Sequence, residues 1–296
     1  MVQAKPLFKQ RFSFVLLLAL SVLSLLLTAC GGGGGGNTTT PSAPSSSGKA
    51  NVAAPKDLLS PGTFTVGTDP TYFPMEYIDQ KTNSYAGFDI DLSSALASHM
   101  GLKLNIQKTS FDTIFNDLDN KRFDIVNASV YVSAKRKVKY DFVPYLQAGS
   151  SLLVANGNPK GVKGVDGLCG LTVGTESGTI QLEDVGKRND ACKAAGKPEI
   201  KNVVLKSATD VIQLLSNHRA DVIYLGSLSA AYYNKINPGQ FQLVGPTINA
   251  GPSGLVIRKG DSEMLNAVQK AFQAIKSDGT YDALFRKYGF SDADKI

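Results

Sequence analysis

From about residue 61 onward, apolar and polar positions alternate with two periods, and each period predicts one kind of element. Stretches rich in β-branched residues predict strands, and apolar residues repeated every three or four positions predict amphipathic helices. Strands are predicted over 63–67, 102–106, 124–128, 171–174, 203–205, 222–225 and 255–258. Helices are predicted over 89–100, 111–118, 179–187, 208–218 and 227–235. Two more are predicted near the C-terminus: one carries Leu265, Val268, Phe272 and Ile275 at helical spacing, and the last lies around 281–288. The first of these helices begins at an Asp89 cap and ends at Gly101.

Strands that alternate with helices are typical of an α/β fold. The alternation runs twice, once before and once after the stretch at residues 149–161. Two half-size α/β units joined by short extended segments predict two lobes with a crevice between them, and such crevices are preferred ligand sites. The pattern therefore predicts a two-lobe protein with an interlobe binding cleft.

The N-terminus predicts export. Three basic residues precede an apolar run at 12–28, which is the order of a secretory signal, and the run ends in Leu-Thr-Ala before Cys30. This ending resembles the lipobox of bacterial lipoproteins, so residues 1–29 are predicted as a lipoprotein signal peptide and Cys30 as the lipidated residue. An uncleaved membrane anchor is the alternative, although the run is slightly short for a spanning helix. Both interpretations place the rest of the chain outside the cytoplasm, held at the cell membrane.

A tether is predicted next. Six glycines, 31–36, lead into a stretch rich in Thr, Pro, Ser and Ala that ends near Ser60 and has little apolar side chain to bury. Residues 30–60 are therefore predicted to be a disordered tether, spanning on the order of 30 Å root-mean-square by the scaling of Gly/Ser-rich linkers.

Composition and charge exclude several classes of protein and of binding partner. With 43% apolar and 19% charged residues, the chain is neither wholly disordered nor a multi-span membrane protein. Lys5, Lys9 and Arg11 precede Cys30. Without the predicted signal peptide, 28 of the 31 basic residues remain against 25 acidic ones, and the net charge falls from +6 to +3. This small surplus argues against a nucleic-acid partner. With only His99 and His218, a multi-histidine metal site lacks ligands, and no cofactor is expected.

Three motifs carry a family resemblance. They are VGTDPTYFPME at 66–76, GFDIDL at 87–92 and RFDIV at 122–126, the last followed by Lys135 and Arg136. Together they resemble the extracellular solute-binding protein family 3, the polar amino-acid receptors of ABC importers. The resemblance implies a type II periplasmic-binding fold that closes like a hinge on one small ligand and docks as a monomer on a membrane permease. Lobe 1 is predicted over 61–148 plus 251–296, and lobe 2 over 149–250.

The resemblance also implies binding residues in the first lobe. Tyr72 and Phe111 match aromatic side chains that face the ligand, with ordinary core packing as the alternative for each. Arg136 matches the arginine that grips the ligand α-carboxylate through two parallel hydrogen bonds, and its alternative is a solvated position in a basic run. Ser129 corresponds to a hydroxyl or backbone contact beside that arginine.

In the second lobe, residues 174–179 follow a strand and open a helix, and backbone N–H groups there suit a carboxylate oxygen. The ligand contacts implied at this point are Glu176, Thr179 and Ile180. On its own a glycine-rich helix opening is a weak signal.

Two positions depart from the family pattern. Gly226 stands where many members carry an aspartate that pairs with the ligand α-ammonium, and Tyr131 replaces a small hydroxyl residue. An unpaired buried ammonium costs several kcal/mol, so another anion must replace the aspartate or the ligand lacks an α-ammonium. Glu176 or Asp69 could supply the charge, and Tyr131 or Tyr224 a hydroxyl, and both are hypotheses. The simplest alternative is that the ligand is a small carboxylate without an α-ammonium.

Cys169 and Cys192 remain after Cys30, and an oxidising compartment favours a disulfide between them.

Three function classes remain: the receptor of an importer, an enzyme of the cyclohexadienyl dehydratase type on the same fold, and an extracellular sensing domain. The first is predicted, without catalytic activity. The second would need Glu176 or Asp69 as a general acid.

Overall fold

The computed structural model describes residues 51–296 of the 296-residue chain. The predicted signal peptide, Cys30 and the tether up to residue 50 lie outside the described residues. Among the described helices, none is both long enough and apolar enough to cross a membrane.

The described residues form eleven strands and eight α-helices. The strands are β1 (Thr63–Thr68), β2 (Thr71–Tyr72), β3 (Glu76–Asp79), β4 (Ser84–Ala86), β5 (Lys103–Lys108), β6 (Ile125–Val126), β7 (Tyr140–Ala155), β8 (Thr172–Glu176), β9 (Lys201–Leu205), β10 (Val222–Gly226) and β11 (Phe241–Arg258). The helices are α1 (Phe88–His99), α2 (Ile114–Asp119), α3 (Ala134–Lys139), α4 (Ile180–Ala194), α5 (Ala208–Ser216), α6 (Ser227–Ile236), α7 (Ser262–Ser277) and α8 (Thr280–Tyr288).

Eight strands make one sheet in the order β5-β1-β6-β11-β7-β10-β8-β9. Strands β5, β1 and β6 are parallel at one end, and β10, β8 and β9 are parallel at the other. The two long strands β7 and β11 run antiparallel between them, from the Phe241↔Ala155 pair to the Arg258↔Tyr140 pair. Both halves of the molecule are therefore joined through the same pair of strands. Strands β2, β3 and β4 form a separate small sheet.

The hydrophobic core divides between the two ends of the sheet. At one end Phe64 and Leu92 pack with Val268 and Phe285 from the C-terminal helices, so this core uses both ends of the described chain. At the other end, separate clusters form around β8 with α4 and around α5 with α6. This arrangement gives the α/β fold two lobes. The bounds given above for each lobe stay a prediction.

The start of α1 differs from its prediction. Gly87, not Asp89, is the N-cap, and no side chain caps this helix. Gly87 has φ 124°, and a Cβ there would collide with the backbone of Met75, so only glycine fits. The Asp89 side chain is fully buried instead of capping. The prediction of an Asp89 cap is therefore wrong, and this carboxyl belongs to the interior.

The end of the predicted tether is packed on the folded part. Val52 donates its backbone N–H to the His99 carbonyl at 3.1 Å, and Leu58 packs against the first core. The Leu59 N–H donates to Asp124 Oδ1 at 3.0 Å. Residues 51–60 thus carry tertiary contacts, which corrects the prediction that disorder extends to Ser60.

Cys169 and Cys192 form the predicted disulfide, with an S–S distance of 2.01 Å and a sequence separation of 23. The bond ties the loop before β8 to the C-terminal part of α4. It therefore closes a loop that contains β8 and most of α4.

Removing this bond should lower stability. We expect Cys169→Ser combined with Cys192→Ala to reduce the free energy of unfolding by about 3 kcal/mol, because the open loop gains conformational entropy in the unfolded state. Urea unfolding followed by circular dichroism measures the change. A reductant should shift the parent protein to a similar midpoint and leave the variant unmoved. Equal midpoints for the parent and the variant without reductant would contradict the prediction.

Candidate functional site

A cavity lies between the two lobes and encloses about 850 Å³, including the part that opens to solvent. Every ligand-contact residue predicted from the sequence lines it: Asp69, Tyr72, Phe111, Ser129, Tyr131, Arg136, Glu176, Thr179, Ile180, Tyr224 and Gly226. The cavity thus brings together residues that lie up to 157 positions apart, between Asp69 and Gly226. Their roles toward a ligand stay predictions.

Arg136 lies in the first turn of α3, where its backbone N–H donates to the N-cap Ser133 Oγ at 3.2 Å. Its Nη1 donates to the Tyr131 carbonyl at 2.9 Å and its Nη2 to the Gly178 carbonyl of the other lobe at 3.2 Å. A guanidinium has five N–H donors, so these two bonds leave three. Burial lowers the pKa of Arg136 to about 10, which keeps the side chain positively charged at neutral pH.

Aromatic rings flank this guanidinium. Its central carbon lies 5.0 Å from the ring centroid of Phe115 and 5.7 Å from that of Phe111, within the range of cation–π contacts. Phe111 also donates its backbone N–H to Asp69 Oδ2 at 2.8 Å, which fixes the loop before α2. Helix α2 begins at Ile114 and not at residue 111 as predicted, and residues 110–113 form a turn in which the Thr113 N–H donates to the Ser110 carbonyl at 3.1 Å.

Gly226 ends β10 in direct contact with Tyr72. A Cβ at position 226 would overlap the Tyr72 hydroxyl, so the tyrosine occupies the space into which a side chain at 226 would project. Burial raises the pKa of Tyr72 far above its usual value, so the hydroxyl is neutral. An aspartate cannot stand at 226 unless Tyr72 moves. The departure at Gly226 therefore has a local steric cause.

The hydroxyl groups of Ser129 and Tyr224 are already engaged within the protein. Ser129 has a φ of 49°, and both its N–H and its Oγ donate to Asp89 Oδ2, at 2.8 and 3.3 Å. The Tyr145 hydroxyl donates to the same oxygen at 2.8 Å. Tyr224 donates its hydroxyl to Asp184 Oδ2 at 2.9 Å. The predicted ligand hydrogen bond from Tyr224 would therefore have to displace Asp184, although its ring lines the cavity.

Tyr131 and Thr179 both line the cavity, and each is held by contacts within its own part of the chain. Tyr131 pairs with Ser253 of β11, and its ring packs against the position of Gly251. Thr179 is the N-cap of α4: its Oγ1 accepts the Leu182 N–H at 3.2 Å and donates to the Glu176 carbonyl at 2.7 Å. The predicted helix opening is therefore present, with its own side-chain cap.

Two buried acidic residues at the site escaped the sequence analysis as functional candidates. Glu76 is 1% exposed and lines the cavity, and no hydrogen-bond partner for its Oε2 occurs among residues 51–296. Burial, and then the negative charge of Asp89, raise the pKa of Glu76 well above its usual range. Burial raises the pKa of Asp89 to about 6. Both residues lie inside the family motifs, and this is the signal that could have found them, because their local patterns resemble those of surface residues.

Contacts across the cleft hold the lobes together. Lys135 Nζ lies 2.6 Å from Glu183 Oε1, and Thr209 Oγ1 donates to the Thr71 carbonyl at 2.9 Å. Together with the Arg136 bond to Gly178, these contacts join elements of both lobes around the cavity. Within residues 51–296, no group of three or more His, Cys, Asp and Glu side chains could hold a metal ion.

The sequence profile of the bacterial extracellular solute-binding proteins, family 3, matches residues 64–291. This chain belongs to that family. It is 31% identical over 238 residues to the L-cystine-binding protein TcyJ of Escherichia coli strain K12, an alignment that covers 79% of this chain and 85% of that protein. Proteins of family 3 are extracytoplasmic, which agrees with the export predicted from the N-terminus.

Solved structures of related proteins share this fold. An ancestral arginine-binding protein bound to arginine is 34% identical, with a TM-score of 0.71, and the match covers 77% of this chain and 98% of that one. The ancestral amino acid-binding protein AncCDT-1, a precursor of cyclohexadienyl dehydratase, is also 34% identical, with a TM-score of 0.69, over 77% of this chain and 95% of that one. These similarities confirm the predicted family and two-lobe fold.

The contact between Gly226 and Tyr72 makes a testable prediction about lobe closure. We expect Gly226→Ala to weaken ligand binding by about tenfold or more, since overpacking typically costs 1–3 kcal/mol and here the overlap arises where the lobes meet. Isothermal titration calorimetry with the best ligand found in a screen of amino acids measures it.

Gly186→Ala is the matched control, because a Cβ at that helical position of the same lobe meets no atom within 4 Å. The control should bind as the parent does, and both variants should keep the parent's melting temperature without ligand to within a few degrees. If Gly226→Ala bound the ligand as tightly as the parent does, the prediction would be wrong, and the Tyr72 hydroxyl would be free to move.

Proposed function

We propose that this protein is the amino-acid receptor of an ABC importer and that Arg136 binds the α-carboxylate of the ligand. The observation that supports this most is the position of the Arg136 guanidinium, which lines the interlobe cavity with three N–H donors beyond its two carbonyl bonds. A carboxylate matches the planar donor pair of a guanidinium, because its two oxygens can accept two parallel hydrogen bonds. Tyr72 and Phe111 then cover the carbon skeleton of the ligand.

The proposed mechanism is capture by hinge closure. Lobe 1, at 61–148 plus 251–296, and lobe 2, at 149–250, rotate about the segments where β7 and β11 pass between them. A ligand that touches groups of both lobes favours the closed arrangement, because only there are all of its contacts made. The closed form then docks on the permease of the importer, with the receptor acting as a monomer.

The proposed location is the outer face of the cell membrane, through a lipid on Cys30. The support is the order of basic stretch, apolar run and Leu-Thr-Ala-Cys in the sequence. The glycine-rich stretch after Cys30 is the proposed tether, which would keep the receptor near its permease.

One observation favours a second candidate, a dehydratase of the cyclohexadienyl type. Burial and the charge of Asp69 raise the pKa of Glu176 to about 9, so this side chain is protonated at neutral pH, as a general acid requires. Similarity to AncCDT-1, a precursor of such an enzyme, points the same way. Turnover of prephenate or arogenate would establish this alternative, and binding of an amino acid without turnover supports the receptor.

The role of Arg136 can be tested by substitution. We expect Arg136→Ala to weaken binding of the best amino acid by about thirtyfold or more, because hydrogen bonds to a charged group contribute about 1.5–3 kcal/mol. Arg136→Lys should recover only part of the loss, since an ammonium cannot form the parallel pair of bonds. Titration calorimetry against a panel of amino acids and small carboxylates measures both.

Lys137→Ala is the control, because Lys137 is the exposed neighbour of Arg136 on the same helix. It should bind like the parent. If Arg136→Ala bound the ligand as tightly as the parent does, the assignment of the clamp would be wrong. If the strongest binder were a carboxylate without an ammonium, the ligand class would change and the clamp would stand.

A further inference from the structure

Two buried carboxyl groups meet beside the cavity. Glu76, the first residue of β3, is 1% exposed, and Asp89, in the first turn of α1, is fully buried. The backbone segments that carry them are joined, because the Asp89 N–H donates to the Met75 carbonyl at 2.9 Å. The two side chains are in hydrogen-bonding contact with each other. We call Glu76 and Asp89 the carboxyl pair.

Each member of the carboxyl pair has one buried oxygen that no donor reaches. Within residues 51–296, Glu76 Oε2 and Asp89 Oδ1 receive no hydrogen bond from an N–H or O–H group. Neither residue forms a salt bridge in this part of the chain. Ionised carboxyl groups only accept hydrogen bonds, so two carboxylates in contact would repel each other and leave both oxygens unsatisfied. One proton held between the two side chains removes both deficits.

The surroundings decide which member of the pair holds this proton. Asp89 Oδ2 accepts the Ser129 N–H at 2.8 Å, the Ser129 hydroxyl at 3.3 Å and the Tyr145 hydroxyl at 2.8 Å. Such bonds stabilise the ionised form, and burial raises the pKa of Asp89 only to about 6. For Glu76, burial and then the charge of Asp89 raise the pKa well above its usual range. At neutral pH the proton therefore lies on Glu76, and Asp89 is the carboxylate.

Asp89 in turn holds a turn of the binding site. Ser129 lines the cavity with a φ of 49°, a conformation that residues other than glycine rarely adopt. Its two hydrogen bonds to Asp89 keep it there. Two residues later, the Tyr131 carbonyl accepts the Nη1 of Arg136 at 2.9 Å. The carboxyl pair is thus connected to the guanidinium through one short stretch of backbone.

We propose that Glu76 is a positioning residue of the binding site: as a protonated carboxylic acid it donates to Asp89 Oδ1, and this bond keeps Asp89 where it holds the turn at Ser129. The turn then places the carbonyl that orients Arg136. This inference deepens the proposed function and rests on it, because it concerns the residue that binds the ligand carboxylate. Loss of the proton would put two carboxylates in contact and loosen the turn.

The charged groups around the carboxyl pair come from several elements, and they favour the proton. Asp69, which follows β1, and Glu176, at the end of β8, raise the pKa of Glu76 further. Tyr72 of β2 and Tyr145 of β7 are neutral, since burial raises the pKa of both. Nothing acidic near Glu76 is therefore a source of relief for its charge.

One basic residue of the described part of the chain lines the cavity, Arg136, and its pKa responds to Glu183 and not to the carboxyl pair. The folded protein thus holds a proton on Glu76 that the unfolded chain releases above the usual pKa of a glutamate. The sign of the effect follows. Stability must fall as the pH rises from that usual value toward the raised pKa of the folded state.

The pH dependence of stability tests whether this proton exists. Glu76→Gln replaces the acid by an amide, whose N–H donates to Asp89 without titrating. Between pH 6.5 and 8.5, above the pKa of Asp89, we expect the folding equilibrium constant of the parent to fall relative to that of Glu76→Gln. The fall should reach up to about tenfold for each pH unit, the limit for release of one proton. Urea unfolding at each pH measures it, and parallel profiles would overturn the inference.

A spectroscopic measurement detects the same proton directly. Carbon-13 NMR of the glutamate side-chain carboxyl groups identifies Glu76 by the signal that is missing from Glu76→Gln. At pH 7 this signal should have the chemical shift of a protonated carboxyl group. The chemical shift of an ionised group would contradict the proposal.

Glu76→Leu tests the positioning role, because leucine fills much of the space but donates no hydrogen bond. In the ligand-free protein, we expect the Ser129 N–H of this variant to exchange with solvent about tenfold faster or more. Its affinity for the best-binding amino acid, measured by titration calorimetry at pH 7, should also fall by about tenfold or more. Glu76→Gln should restore both to within about threefold of the parent, since it keeps the donor.

Glu199→Gln is the control, because Glu199 is an exposed glutamate remote in sequence from the carboxyl pair. It should match the parent in stability profile, amide exchange and affinity. If Glu76→Leu did not fold, the comparison of the parent with Glu76→Gln and the NMR signal would still decide whether the proton is there.

The outcomes separate this inference from the proposed function. If Glu76→Leu exchanged and bound like the parent, or if Glu76→Gln lost affinity as Glu76→Leu does, the positioning role would be wrong and the amino-acid receptor would stand. If the parent bound no amino acid of a full panel, the proposed function would fail. Amide exchange, NMR and unfolding need no ligand, so they would still report on the carboxyl pair.

Discussion

The site depends on the burial of one permanent charge, the guanidinium of Arg136, where the two lobes meet. Removing a guanidinium from water is costly unless protein groups replace the water. Two carbonyl oxygens, one from each lobe, and the faces of Phe111 and Phe115 do this in part. Because the Gly178 carbonyl belongs to the second lobe, the charge is best solvated when the lobes touch. The same residue thus favours lobe contact and leaves donors facing the cavity.

A second constraint at the cavity is steric. Tyr72 and Gly226 fit each other as a large and a small partner, and neither can be exchanged alone without a shift of the other. A neutral hydroxyl therefore lies where many family members place an aspartate. The carboxyl groups that line the cavity are instead those of Asp69, Glu76 and Glu176, and burial raises the pKa of each.

Much of this arrangement could be predicted from the sequence, because the local spacing of apolar residues and the family motifs indicate it. Helix α7 shows its apolar stripe plainly, and Val268, Phe272 and Ile275 are buried as that stripe requires. The long strands β7 and β11 were missed, apart from the last part of β11. Their apolar period breaks at Pro144, Gly149 and Pro252, and β7 leaves the first core for the second near Gly149. Their pairing links distant parts of the chain.

Buried acidic residues were the other limit of prediction. Asp89 occupies a position typical of a helix cap, and Glu76 follows a short apolar stretch, so both resemble surface residues. Only the fold reveals that Asp89 Oδ2 accepts bonds from Ser129 and Tyr145 and thereby holds the loop that leads to Arg136. A carboxylate that accepts several bonds can remain buried, which local sequence patterns do not encode.

The two constraints together set the charge balance of the cavity. Arg136 is the one Lys, Arg or His side chain among the described residues that line it. Glu176 is protonated at neutral pH, because burial and the charge of Asp69 raise its pKa to about 9, and burial also raises the pKa of Glu76. In a space where water screens charges poorly, a ligand carboxylate therefore finds its charge partner in Arg136. An ammonium on the ligand is paired only where one of these carboxyl groups is ionised, so the charge balance depends on the ligand as well as on the protein.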